Sequence, residues 1–376
     1  MFDRHGTLAR MGPSFEARAA DSDAQDRFVF ENYRSLKECR AFSAMIPEEL
    51  GGGGLPFSEM CHFIREISHR CSSTALAFSM HQHLTAAAVW NYLRGNPGEM
   101  LLRRVAGEEL VLVSTGATDW LGSTGLLQPC EGGFRYSGTK RFASGSPAGD
   151  LLIMTGRFHD PEGGWQVLHF TLSIRAEGVR VNEDWNAMGM RGTGSNTVVI
   201  ENAFVPAEAV GLRRPLGKYH GVWNVVFGVA WPLIGAAYLG IAESAARIAI
   251  AAAAGRCDEI TAIVLGEMQN HLTMAQLAHR SLVELADELR FEPSLENSSQ
   301  VLIRRTLLTQ AVIDTAAKAM EATRGAGYFR GLGLERLLRD ALAGQFHTLQ
   351  AKQQQRFSGR VALGLDVDEL PPGRPA

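Results

Sequence analysis

A multidomain α+β chain is predicted: an N-terminal helical bundle, a middle β-barrel or sandwich domain, and a C-terminal four-helix bundle. Three observations lead there. Six short runs lie between residues 110 and 206: LVLVST (110–115), FRYSGTKRF (134–142), LLIMTGRF (151–158), WQVLHFTL (165–172), VRVN (179–182) and NTVVIENAF (196–204). Each is rich in Val, Ile, Thr or aromatic residues and bounded by Gly, Pro, Asp or Asn, the chemistry of strands and turns. Helical periodicity dominates before residue 110 and after residue 221, and few architectures place an all-β module between helical bundles. The expected divisions are an arm or disordered segment (1–27), a helical domain (28–109), a β-domain (110–212), a helical bundle (221–364) and a tail (365–376).

Within the first helical domain, PEELGGGGLP (47–56) interrupts the periodicity. Its four glycines do not read as a phosphate loop, because no Lys-Ser or Lys-Thr pair follows. The next segment, 58–84, reads as two helices meeting at a Ser72-Ser73-Thr74 cap. His81 and His83 are two apart and point to different faces of a helix, so they read as packing or surface histidines and not as a metal pair. In the C-terminal half, turns near Phe291 and at 324–333 divide the helical pattern into four or more helices.

Composition narrows the function. The net charge of -3 argues against an electrostatic nucleic-acid binder. Five cysteines without CxxC spacing read as reduced thiols, with neither a zinc site nor a disulfide framework. The polar N-terminus has no apolar signal region, which places the expectation in the cytoplasm. Val225 to Ala242 is uncharged and long enough to span a bilayer. Its Pro232 and its run into Glu243 and Arg247 favour a buried core helix over membrane insertion.

Several local motifs fall in the same order as this layout. AMIPEELGGGGLPFSEM (44–60) is similar to a "vPeeyGGlG" turn. Leu112 to Asp119 corresponds to "TEPxAGSD", and Gly138 to Gly145 to "GxKxWITNG". Trp185 to Pro206 follows "lGxRgsxtxxvxFedvxVP" nearly throughout. In these motifs the chain resembles the acyl-CoA dehydrogenase superfamily over roughly residues 28–364. The resemblance implies an FAD-dependent oxidoreductase acting on the CH–CH group of an acyl thioester, passing electrons to an acceptor and assembling as a dimer or tetramer. It implies flavin contacts from Leu112, Ser114, Thr115, Thr118, Phe142, Ser144, Arg256, Gly325 and Thr348. Phe142 stands where the family has Trp, beside the isoalloxazine ring, and Ser144 would donate to its N5 side. Asp119 would fix the loop, and Arg191 would hold the β-domain against the helices. Arg256 matches an arginine that reaches FAD phosphate across a subunit interface, a task suited to a guanidinium fork. A helix-end arginine satisfying carbonyls is the equal alternative.

The departures from the family are as informative as the matches. "RxxFGxxixxxQ" is replaced by RCDEITAIVLGEM (256–268), and Glu321 and Arg324 stand in place of the Gln and first Gly of "QxxGGxG". The family's catalytic glutamate lies in a "YEG" motif after a helix ending "RDA"; here Arg339-Asp340-Ala341 is followed by His347 and Thr348 at those positions. The alternative location on an earlier helix holds Trp231. Three readings stay open: His347 as a base, since an imidazole suits proton transfer near neutrality; a flavin-dependent monooxygenase of the same fold, with FMN possible and reduced flavin coming from a reductase; or a non-catalytic flavin-binding module.

Overall fold

A computed structural model describes residues 2–116, 119–256 and 258–368. The first 27 residues are not a loose arm. Arg4–Ala24 forms α1, started by Asp3, whose carboxylate accepts from the Gly6 amide. Met11, Phe15 and Ala19 recur every four residues and are buried, a narrow stripe obscured in sequence by polar neighbours and Pro13. Arg4 ties the helix to Glu59 and Glu66.

Four further helices complete this region: α2 (Phe30–Glu38), α3 (Phe57–Ser68), α4 (Ser72–Tyr92) and α5 (Glu99–Glu108). The glycine loop before α3 has a packing reason. A Cβ on Gly52 would lie 2.2 Å from the Ile46 carbonyl oxygen, and one on Gly53 2.8 Å from that of Ala44. Backbone approaches backbone too closely there for any side chain.

The middle region is one mixed eight-stranded sheet: β1 (Leu112–Ser114), β2 (Leu126–Cys130), β3 (Gly133–Ala143), β4 (Leu151–Asp160), β5 (Gly164–Ser173), β6 (Val179–Val181), β7 (Asn196–Pro206) and β8 (Val210–Pro215). The pairing order is β6-β7-β3-β2-β4-β5-β8, with β1 parallel to β4 through Leu112 opposite Leu151. β5 and β7 also pack against each other although three strands separate them in that order, so the sheet folds over its own core. Tyr136, Leu152, Met154, Phe170 and Val198 lie in that core. Neither β2, which holds Pro129, nor the basic β8 matches a strand expected from the sequence.

Three long helices, α6 (Val222–Ala253), α7 (Glu259–Ala286) and α8 (Leu295–Thr323), pack on one another, with α9 (Leu334–Leu342) and α10 (Ala351–Ala362) against α8. α6 is long and apolar enough to cross a membrane, yet 89% of its most apolar stretch is buried inside the protein. It packs against α3 and α4 as well as α7 and α8, so the two helical regions share one hydrophobic core. The sheet joins that core through β1, which packs on α4, and through Leu112 and Leu151.

Candidate active site

Where α4, the sheet and α6 converge, the protein forms a cleft of about 580 Å³. One wall is helical and largely apolar. Two adjacent rows of α6 at four-residue spacing face it, Val222-Val226-Ala230-Ile234 and Trp223-Phe227-Trp231; α4 adds Leu76, Met80, His83 and Leu84. The i, i+4 spacing puts each row on one helix face. The other wall comes from the sheet, with Ser114, Gly116, Phe142 and Ser144 at or just past strand ends and Thr155 in the middle of β4. The loop from Trp185 to Met190 and the Phe346-His347-Thr348 segment close the rest.

On the strand wall, Phe142 is 50% exposed and meets Trp185 edge to face, 5.9 Å between centroids. Ser144 and Ser195 share a hydrogen bond of 2.7 Å, Ser195 and Thr193 another of 2.7 Å, and the Thr193 hydroxyl donates to the Met190 carbonyl at 2.9 Å. A hydroxyl has one proton, so this chain runs from Ser144 through Ser195 to Thr193. Ser144 therefore presents a lone pair to the cavity. This reverses the donor role expected from the sequence, and its cause is Thr193, whose proton is spent on a carbonyl.

The loop below that wall is fixed from beneath. Asp119 and Lys140 form an ion pair with both side chains fully buried, and Asp119 also accepts from Thr155 at 2.8 Å and from the Thr124 amide at 3.1 Å. Arg214, itself buried, donates to the carbonyls of Leu121 (2.9 Å) and Gly122 (3.0 Å) and to His169 (3.0 Å). Nothing in the LRRP stretch of the sequence singles this arginine out. Arg191 joins the 187–191 loop to α1: it donates to the Ala187 carbonyl at 3.0 Å and that of Asp23 at 3.3 Å.

His347 lines the cavity. Its Nε2 shares a 2.8 Å hydrogen bond with the Tyr238 hydroxyl, and its carbonyl accepts from Arg305 at 2.7 Å. Burial first, then the Arg305 and His83 charges, lower its pKa to about 3. It is a neutral hydrogen-bonding group at pH 7, poorly suited to act as a general base. His83, read from sequence as packing or surface, faces the same cavity. Burial lowers its pKa to about 4, and its Nδ1 lies 3.4 Å from the Ser79 carbonyl. His81 turns the other way, with Nε2 donating to Phe42 O at 2.8 Å and Nδ1 accepting the Leu112 amide at 2.9 Å.

The other sequence-expected residues divide into two groups. Ser114 and Thr348 line the cavity. Leu112 has its amide committed to His81, and the buried Thr115 donates its hydroxyl to the Ile153 carbonyl at 3.0 Å; neither lines the cavity. Thr118 lies outside the described residues. Arg256 donates to the Ala322 carbonyl at 3.0 Å, which makes it a cap on the last turn of α8. Arg324 binds both carboxylate oxygens of Asp258 at 2.9 Å. Gly325 stands in open space; the neighbour with a steric reason is Gly327, where a Cβ would meet Thr323 Oγ1 at 2.2 Å. Arg256, Arg324, Gly325 and Gly327 are not among the residues that line the cavity.

Fold and site together define an enzyme-like scaffold, in which helical regions and a folded-over sheet line an open, largely apolar cleft with a few hydroxyl and imidazole groups. Residues 13–108 match the N-terminal domain of acyl-CoA dehydrogenase and residues 232–352 its C-terminal domain. The chain belongs to the acyl-CoA dehydrogenase superfamily. It is 25% identical to the amino sugar nitrososynthase DnmZ of Streptomyces peucetius, over 95% of this chain and 92% of that one. It is 27% identical to the dibenzothiophene monooxygenase of Mycolicibacterium goodii, over 92% and 90%. The solved structure of KijD3 with FMN and a dTDP-linked amino keto sugar superposes with a TM-score of 0.85 at 22% identity, covering 98% and 95% of the two chains.

Proposed function

We propose that this protein is a flavin-dependent monooxygenase that receives reduced FMN from a separate reductase, and not an acyl-CoA dehydrogenase. One observation carries the reading: among the described residues the cavity has a single carboxylate, Asp119, and it is neutralised by Lys140. Dehydrogenation of an acyl thioester needs a free base for the α-proton. Thr348 and Trp231 occupy the two family locations for it, and His347 is held neutral with its Nε2 engaged. Relatives named nitrososynthase and dibenzothiophene monooxygenase support the same direction.

The residues present suit a flavin. Phe142 offers an aromatic face, Ser144 an acceptor, and Gly116 open space beside its Cα, all on one wall. When bound, reduced flavin supplies the two electrons that, with two protons, divide O2 between one oxygen atom on the substrate and one water. The protein's own part is exclusion and orientation. The apolar helix wall keeps water from the reacting centre. Ser144 holds an N–H donor at the strand wall, and His83 and His347 present neutral imidazoles opposite. FMN is favoured over FAD because the positions resembling the adenine side are spent within the chain, Arg324 on Asp258 and Arg256 on Ala322. KijD3, of the same fold, was solved with FMN.

A second copy of the chain is the expected partner on the outer face of α7, where Ile260, Ile263, Met274 and Leu277 are each more than half exposed. The reading is tested by mixing the flavin-loaded protein anaerobically with a panel of acyl-CoAs. Flavin absorbance should stay unchanged, and it should bleach only with a reductase and NADH. Bleaching by an acyl-CoA alone overturns the proposal.

A further inference from the structure

His347 lines the cleft, and the buried groups around it leave its ring little freedom. It stands edge to face with Trp231, 6.0 Å between centroids, and with Tyr238, 5.6 Å. The Tyr238 side chain is buried, and its hydroxyl has one hydrogen-bond partner among the described residues, the His347 Nε2 at 2.8 Å. A hydroxyl carries one proton that needs an acceptor. Were the proton of the neutral imidazole on Nε2, it would point at the tyrosine oxygen and leave the tyrosine's own proton buried and unpaired. That arrangement is disfavoured by roughly tenfold or more. Tyr238 is therefore the donor, Nε2 the acceptor, and the imidazole proton sits on Nδ1. No described residue hydrogen-bonds this Nδ1, nor is it one of the buried unpaired atoms, so it is open to the cleft.

Arg305, on α8, acts on the same ring. It is 1% exposed, and no described carboxylate pairs with it. Burial lowers its pKa to about 10, which leaves it a cation at neutral pH. Its Nη2 donates to the carbonyls of Gly344 at 3.0 Å and His347 at 2.7 Å, its buried Nε has no partner, and its guanidinium lies 4.7 Å from the centre of the Trp231 ring. A buried cation without a counter-charge is costly. Beside an imidazole it also disfavours a second proton on the ring. Arg305 from α8, Tyr238 from α6 and His83 from α4 are the titratable groups that face His347, and none of them is an anion.

We propose that Tyr238 and Arg305 are positioning residues that make His347 a fixed Nδ1–H donor to the cleft: the tyrosine sets which nitrogen bears the proton, and the guanidinium keeps the ring from taking another. The cleft then has a fixed acceptor in Ser144 and a fixed donor in His347, and a ligand is oriented by carrying the complementary pair. This goes beyond the monooxygenase reading and holds whichever reaction the cleft performs.

Nitrogen NMR tests it. In full-length protein isotopically labelled in its histidine nitrogens, the His347 resonances are those missing from His347→Gln. Two-bond proton–nitrogen spectra should show a protonated Nδ1 and a bare Nε2 at neutral pH. Tyr238→Phe should move the proton toward Nε2 while the other histidine resonances stay in place. At about pH 5 the doubly protonated fraction of His347 is about 1% in the parent, from its pKa of about 3. Arg305→Gln, which keeps a donor and removes the charge, should raise that fraction about tenfold, and Arg305→Lys, which keeps the charge, should not. A proton on Nε2 in the parent overturns the proposal. A Tyr238→Phe spectrum like the parent's removes the tyrosine from it, and equal protonation in Arg305→Gln and Arg305→Lys removes the charge.

Discussion

Replacing Lys140 with methionine keeps the length of the side chain and removes its charge, leaving Asp119 buried without its cation. Both side chains are fully buried, so solvent screens neither. Breaking such a pair from one side costs about 3–5 kcal/mol. The lower end is expected here, because Thr155 and the Thr124 amide still donate to the carboxylate. The damage should also reach the ligand, since the loop carrying Asp119 supplies cavity wall. Urea unfolding of Lys140→Met should therefore show about 3 kcal/mol less stability than the parent with an unchanged slope, and flavin titration a clear loss of affinity. The double variant Asp119→Asn, Lys140→Met has no orphan charge and should recover at least half of the lost stability. A loss below about 1 kcal/mol in the single variant would refute the claim that this pair is sealed from water.

Ser144→Ala should weaken reduced FMN more than oxidised FMN, because the Ser144 lone pair meets the N–H that reduction adds. A difference of about 1 kcal/mol lowers the bound flavin's potential by about 20 mV, measurable by dye-coupled reduction; equal weakening of both states would contradict the hydroxyl order. Burial lowers the pKa values of His81, His83 and His279 to about 4, against an unfolded value near 6.5. The unfolded chain then binds more protons between those values, so stability present above about pH 6.5 is lost as pH falls toward 4, each histidine contributing up to about 1.4 kcal/mol per pH unit. Glu109 and Asp340, whose carboxyls burial holds above their ordinary values, act in the opposite sense. Urea midpoints that stay level from pH 7 to 5 would exclude this balance. Arg324→Ala should change FAD affinity less than about threefold, its half-exposed ion pair being worth at most about 1 kcal/mol; a tenfold loss of FAD affinity with FMN affinity unchanged would return the adenine-side role to it. Ile263→Glu with Leu277→Glu should lower the molar mass seen by light scattering, and an unchanged mass would remove α7 from the assembly face.

Much of this architecture is legible in sequence because its strands announce themselves. The run 151–158 becomes β4 at Leu151–Asp160, and 196–204 becomes β7 at Asn196–Pro206. β2 and β8 escape notice because Pro129 and two adjacent arginines mask them, and both are held in place by their neighbours more than by propensity. The α1 stripe is similarly muted, two of its buried positions being Gly12 and Ala19. For the site, motif order finds Ser114, Phe142, Ser144, His347 and Thr348, which do line the cavity. Motif order cannot see where a donor is spent, so Leu112, Thr115 and Arg256 look like ligand contacts until their internal partners are known. His83 was hidden by its own spacing. Two positions from His81 it points elsewhere, and elsewhere is the cavity.

The central claim is that oxygen enters the product. Purified protein should be supplied with FMN, a flavin reductase, NADH and isotopically heavy O2, then offered an aromatic heterocycle, a dTDP-linked amino sugar and butyryl-CoA in parallel, and the products weighed by mass spectrometry. The product should carry one heavy oxygen atom and form only when reductase and O2 are both present. An acyl-CoA product lighter by two hydrogens, unlabelled and formed without O2, would contradict it.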